Sequence, residues 1–241
     1  MPNTETPAHI VRSYDEELKR LRDMIARMGG LAERQVADSA SALIRRDTEL
    51  AAEVVSRDEA LNLLEREIEA FCVRLLALRQ PMAADLRLIV ACMKISSDLE
   101  RIGDYARNGA KRAIVISGQP QFASLNGFPR LAHLVQENLK GAMDALVNND
   151  VLRADEVWAA DEPVDDIYNG IFRELLTFMM EDPRNITAAT HLLFVAKNLE
   201  RIGDHATNIA ERVHYAISGT NLPDERPKSD SSAYAVVRIT E

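Results

Sequence analysis

The hexamer Leu99-Glu100-Arg101-Ile102-Gly103-Asp104 recurs as Leu199-Glu200-Arg201-Ile202-Gly203-Asp204, displaced by 200 − 100 = 100 residues. The match continues outward through Ala106/Ala206, Asn108/Asn208, Ala110/Ala210 and Arg112/Arg212, and upstream Asp58-Glu59 matches Asp161-Glu162. Repetition on this scale means two copies of one supersecondary unit. Each copy has room for three helices, about the minimum that can enclose a core.

The apolar pattern supplies those helices. Leu18, Leu21, Ile25, Met28 and Leu31 mark a first helix from Tyr14 to about Arg46, which the Gly29-Gly30 pair kinks or thins. A second starts near Thr48, and its Leu61, Leu64, Ile68, Phe71, Leu75 and Leu78 step by three and four until Pro81 ends it. A third runs from Ala84-Asp85 to about Ser117. After the turn-forming stretch 118–128 the scheme restarts, with helices at Pro129–Asn149, Val151–Glu181 and Ile186–Ser218. Pro163 interrupts the fifth of these. The expected fold is all-α: a three-helix bundle over residues 12–117, a linker at 118–128 and a second bundle over 129–218. The polar, proline-containing tail 219–241 is expected to be disordered, although its AVVRIT stretch looks β-like.

Charge and composition exclude several classes. A net charge of −9 lacks the basic footprint of a nucleic-acid binder. No stretch approaches the ~20 apolar residues of a membrane span, and the N-terminus lacks a signal-peptide core. Cys72 and Cys92 sit in apolar helical surroundings and read as reduced core residues of a cytoplasmic protein. Phosphate-binding glycine loops, nucleophile elbows and zinc-protease motifs are missing. A ferritin-like Glu-x-x-His is also missing, because Gly103 and Gly203 hold the i+3 positions. His205 follows Asp204 but corresponds to Tyr105, and is read as a local surface choice. A carboxylate-bridged metal hydrolase or oxidase would lack a histidine ligand and a base.

The chemistry-bearing residues are acidic. Glu100/Asp104 and Glu200/Asp204 stand at i and i+4, on one helix face about 6 Å apart along the axis. On the shoulder of an apolar stripe, two ionised carboxylates need a cation. Either Arg101 and Arg201 supply it, or a hard metal such as magnesium, calcium, manganese or iron does. Gly103 and Gly203 cost about 1 kcal/mol each in a helix interior. Their use at equivalent places points to close approach of a neighbouring group. Asp58/Asn62 and Asp161/Asp165 repeat the i, i+4 spacing on the second and fifth helices. They either face the hexamers or lie on a solvated face.

Arg79-Gln80-Pro81-Met82-Ala83-Ala84-Asp85-Leu86-Arg87, followed by the first hexamer, resembles the first repeat of the PhoU family of phosphate-signalling accessory proteins. Met179-Met180-Glu181-Asp182-Pro183, followed by the second hexamer, resembles its second repeat. The similarity covers about residues 12–218. It implies two three-helix, spectrin-like bundles related by pseudo-twofold symmetry, and metal ligands at Glu100, Asp104, Glu200 and Asp204. Asp58, Asn62, Asp161 and Asp165 are the facing candidates, with iron, zinc, magnesium or manganese as the metal. It also implies a negative regulator of phosphate uptake and of the starvation response. Such a protein is a homodimer in the cytoplasm that links the ATPase of a phosphate ABC transporter (PstB-type) to a PhoR-type sensor histidine kinase. It reaches the membrane only through them. A metal- or phosphate-storage module is the competing reading.

Overall fold

The computed structural model describes residues 6–119 and 125–223. The middle of the expected linker and the tail from residue 224, AVVRIT included, lie outside the described residues. Eight α-helices and no strand occur among those described. They are α1 (Thr6–Arg45), α2 (Thr48–Arg57), α3 (Glu59–Arg79) and α4 (Ala83–Ser117), then α5 (Gly127–Asn148), α6 (Val151–Ala159), α7 (Glu162–Glu181) and α8 (Ile186–Ser218).

The second and fifth expected helices are each divided in two, at Asp58 and at Ala160-Asp161. Pro163, in the first turn of α7, announces the second break. The first break has no proline and had no signal in the apolar pattern. Both halves enter these helices in the same way. Arg46 and Asn149 take left-handed backbone conformations (φ 55° and 52°) and turn the chain. Asp47 and Asp150 then cap α2 and α6, accepting from the backbone N–H of Leu50 (2.9 Å) and Arg153 (3.0 Å). Arg46 also donates to the carbonyls of Ile116 (3.1 Å) and Ser117 (2.9 Å), placing a cation at the negative end of α4.

α1 passes through Gly29-Gly30 without a break. A Cβ on Gly29 would fall 2.4 Å from Met143 Cε, so the glycine thins α1 where α5 crosses it. The apolar seams merge into one core that spans both repeats, from Ile25, Ile68 and Ile95 to Leu139, Val195 and Ile209. Each fully buried side chain of this kind contributes about 1.5–3 kcal/mol. The broadest helix–helix contact in the chain joins α4 to α8, the two helices that carry the hexamers. The halves are therefore fused along their motif helices.

Candidate functional site

Gly103 builds the first acidic cluster. A Cβ there would sit 2.3 Å from Leu61 Cδ1 of α3 and 3.7 Å from an oxygen of Asp58. The missing side chain lets the α2–α3 junction lie against α4 and carries Asp58 over the hexamer. Asp58 is buried, not solvated. Its carboxylate is paired with the Arg107 guanidinium, whose other nitrogen reaches Asp104 at 2.9 Å. One arginine thus clamps acids from both strips of sequence. Burial pushes the Asp58 pKa above the usual carboxylate value; Arg107 pulls it down and Asp104 pushes it further up. Glu100 is raised as well, by burial first and then by Asp104 and Glu65. Asn62, one turn after Asp58, donates its backbone N–H to the Asp58 carbonyl (3.4 Å).

The second cluster repeats the backbone with different chemistry. Gly203 faces Val164, the counterpart of Leu61, and an added Cβ would be 3.2 Å from Val164 Cγ1. Asp165 donates its backbone N–H to the Asp161 carbonyl at 3.3 Å, matching Asn62 and Asp58. Asp161, Asp165 and Glu200 are all buried. Position 207 holds threonine where the first half has Arg107, and its hydroxyl lies 3.2 Å from the Gly203 carbonyl and 3.5 Å from Asp161 Oδ1. The cation comes instead from Lys197, which bonds Glu200 at 2.8 Å and stands 4.8 Å from the Tyr168 ring centre. Asp204 is half-buried on the same face.

The neighbours Arg101 and Arg201, one of the two sources considered for the neutralising cation, are exposed. Arg101 acts on Glu100 only through space, and Arg201 stacks over Tyr105 at 5.6 Å. Residues adjacent in sequence point about 100° apart on a helix, so i+1 is the wrong place for a partner. Arg107 at i+3 from Asp104 and Lys197 at i−3 from Glu200 are the right ones.

A metal fits this arrangement poorly. Among the described residues no three His, Cys, Asp or Glu side chains are spaced to hold an ion. In the first cluster the guanidinium already bridges Asp58 and Asp104, and Asn62 brings no charge. An incoming cation would have to displace Arg107 there, and Lys197 from Glu200 in the second half.

Residues that the sequence reading passed over tie the halves together. His205 is no surface residue: its Nδ1 bonds Asp98 of α4 at 2.9 Å, and its ring lies 5.7 Å from that of Tyr105. Arg212 pairs with the same buried Asp98. In the reverse direction Arg112 of α4 meets His191 of α8 at 3.2 Å and stacks over Phe194 at 4.1 Å. The Arg112/Arg212 correspondence in the repeat was the available signal. Cys72 and Cys92 are buried free thiols, both pushed to about 12 by burial.

Comparison with known proteins reproduces the twofold organisation. The PhoU domain model matches residues 25–113 and again residues 128–213. The phosphate-specific transport system accessory protein PhoU homolog of Caulobacter vibrioides (strain NA1000 / CB15N) is 56% identical over 223 residues, 92% of this chain and 97% of the relative. The homolog of Rhizobium meliloti (strain 1021) is 49% identical over 227 residues, 94% and 96% of the two chains. The crystal structure of PhoU from Pseudomonas aeruginosa superposes with a TM-score of 0.82 at 43% identity, covering 86% of this chain and all of that one. The phosphate transport system regulatory protein PhoU from Streptococcus pneumoniae gives 0.81 at 30% identity, covering 87% and 99%. These relatives are named as accessory or regulatory proteins, not enzymes. With both acidic clusters falling inside the two matched segments, the chain belongs to the PhoU family.

Proposed function

We propose that this protein is an accessory regulator of a phosphate-specific transport system that restrains phosphate uptake and the starvation response when phosphate is plentiful. The observation that carries this reading is the doubled family match, one for each half, together with relatives that share nearly the whole chain and are named for phosphate-specific transport. The finer reading is an adaptor, acting as a homodimer in the cytoplasm between the PstB-type transporter ATPase and a PhoR-type sensor histidine kinase. It supports an indirect role at the membrane that no helix among the described residues is long and apolar enough to cross it.

An adaptor works by preferring one state of its partner. Removing it releases a restraint, so a deletion strain carrying a starvation-promoter reporter should express that reporter in phosphate-rich medium. Normal repression in that strain, with no second copy present, overturns the proposal. Titrating the purified chain against kinase and ATPase domains at two ionic strengths tests the adaptor step. The net charge of −9 predicts binding to basic partner surfaces that weakens with salt.

A further inference from the structure

A cleft of about 560 Å³ runs along the α4–α8 seam, apart from both acidic clusters. Its α4 wall carries Arg87 and Lys94; its α8 wall carries Asn208, Arg212 and Tyr215, and Asn221 also lines it. Arg87 and Lys94 are seven residues apart, two helical turns, and so share one face of α4. Three cations gathered in one cleft contrast with the net charge of −9 for the whole chain.

Two of these three cations are left without an ion pair among the described residues. Arg212 is balanced by Asp98, which also accepts from His205. Arg87 and Lys94 have no ion-pair partner among the described residues, and Arg87 Nε is buried without a hydrogen bond there. Gly219 ends α8 at φ 78°, and a Cβ on it would be 3.2 Å from Arg87 Cζ. The glycine brings the chain close over the guanidinium and shields it from water. The lining also holds one carboxylate, Glu211, which keeps its charge and accepts from the Trp158 indole N–H at 3.0 Å. Burial also lowers the Arg212 pKa.

We propose that this cleft is an anion site for a phosphate group, held by Arg87 and Lys94 with Arg212 behind them. Guanidinium forks match phosphate oxygens bidentately, and a partly desolvated cationic pocket favours a dianion. The volume is of the size that takes small organic ligands, with Tyr215 as a surface for stacking, so the group comes either as free phosphate or on a phosphorylated small molecule. An occupant would touch α4 from the first repeat and α8 from the second, bracing the halves along their shared seam. The site stands independently of the adaptor role.

The test is calorimetric titration of the full chain with inorganic phosphate and, separately, with AMP, at two ionic strengths. Arg87→Gln and Lys94→Gln leave the Arg212–Asp98 pair intact, and each should weaken binding about tenfold, the worth of one charge-assisted bond. Arg66→Gln, exposed on α3, is the control for general charge and should leave binding unchanged. Tighter binding of phosphate than of AMP identifies free phosphate as the ligand; tighter AMP binding identifies a phosphorylated molecule. Absence of binding by both, or an equal loss in the Arg66→Gln control, overturns the site. Unchanged melting temperatures of the variants establish that their losses are local.

Discussion

The two acidic clusters occupy equivalent places on equivalent helices, yet they solve their charge problem differently. The first holds Asp58, Glu100 and Asp104 with the uncharged Asn62, and a single arginine clamps two of the acids. The second holds four acids, Asp161, Asp165, Glu200 and Asp204, and its lysine bonds Glu200. Three acids stand in the first and four in the second. A duplicated backbone therefore fixes where carboxylates gather, while single positions such as 107 and 207 decide how they are neutralised.

The largest expected effect follows from the clamp. Arg107→Ala leaves Asp58 buried without its cation, which costs about 3–5 kcal/mol. Lys197→Ala removes the bond to Glu200, made by a single ammonium instead of a two-nitrogen fork, and should cost about 1–3 kcal/mol. Urea unfolding of the two variants measures the difference, and equal losses would dissolve the contrast.

Metal sharpens the same comparison. If the guanidinium is what fills the first cluster, Arg107→Gln opens it to a divalent ion. Manganese or zinc at 100 times its dissociation constant should then restore about 2.7 kcal/mol to the variant, beyond any gain in the parent. Thermal melts with and without metal decide this. An identical gain in both proteins shows that Arg107 is not the competitor.

The glycines come next. Gly103→Ala drives a Cβ into the buried Leu61 and should destabilise by about 1–3 kcal/mol. Gly203→Ala meets Val164 at 3.2 Å, a tight contact that a shift of a few tenths of an ångström relieves, and a helix-propensity gain of up to ~1 kcal/mol offsets that cost. The net change there should stay within about 1 kcal/mol of zero. Chemical denaturation of both variants would reverse the ranking if the second half were the tighter one.

The smallest effect is in pH dependence. Asp58 and Glu100 have folded pKa values above their unfolded ones. The folded chain therefore binds more protons, and these groups subtract stability as pH rises from the unfolded carboxylate pKa through the folded one. Glu100→Gln removes one such contribution, so its stability relative to the parent should improve from acid to neutral pH. A constant offset across that range refutes the Glu100 share.

Much of this was legible in the residues. The seams of Leu, Ile and Ala announced the helices because a 3.6-residue period needs no partner to be visible. Gly103 and Gly203 announced a close approach, since a mid-helix glycine is costly without one. The division at Asp58 was not legible, for it breaks no pattern and contains no proline. The solvated alternative for Asp58 and Asp161 fell when α3 and α7 were seen to press those residues onto the motif helices. The substitution of Thr207 for Arg107 was visible in the repeat alignment, but its meaning depended on knowing which side chain meets Asp58.

Sequence alone determined an all-helical chain, its duplication and the helix faces on which acids collect, because these follow from local periodicity and spacing. Only the tertiary structure decided that Arg107 and Lys197, not Arg101 and Arg201, neutralise the acids. It alone decided that Asp98 joins His205 and Arg212 across the seam. Ion pairing falls off within a few ångströms, so it depends on how one helix is rotated and advanced against another. For Asp98 and His205, 107 residues apart, that alignment is set by the packing of α4 on α8 and by nothing local in either segment.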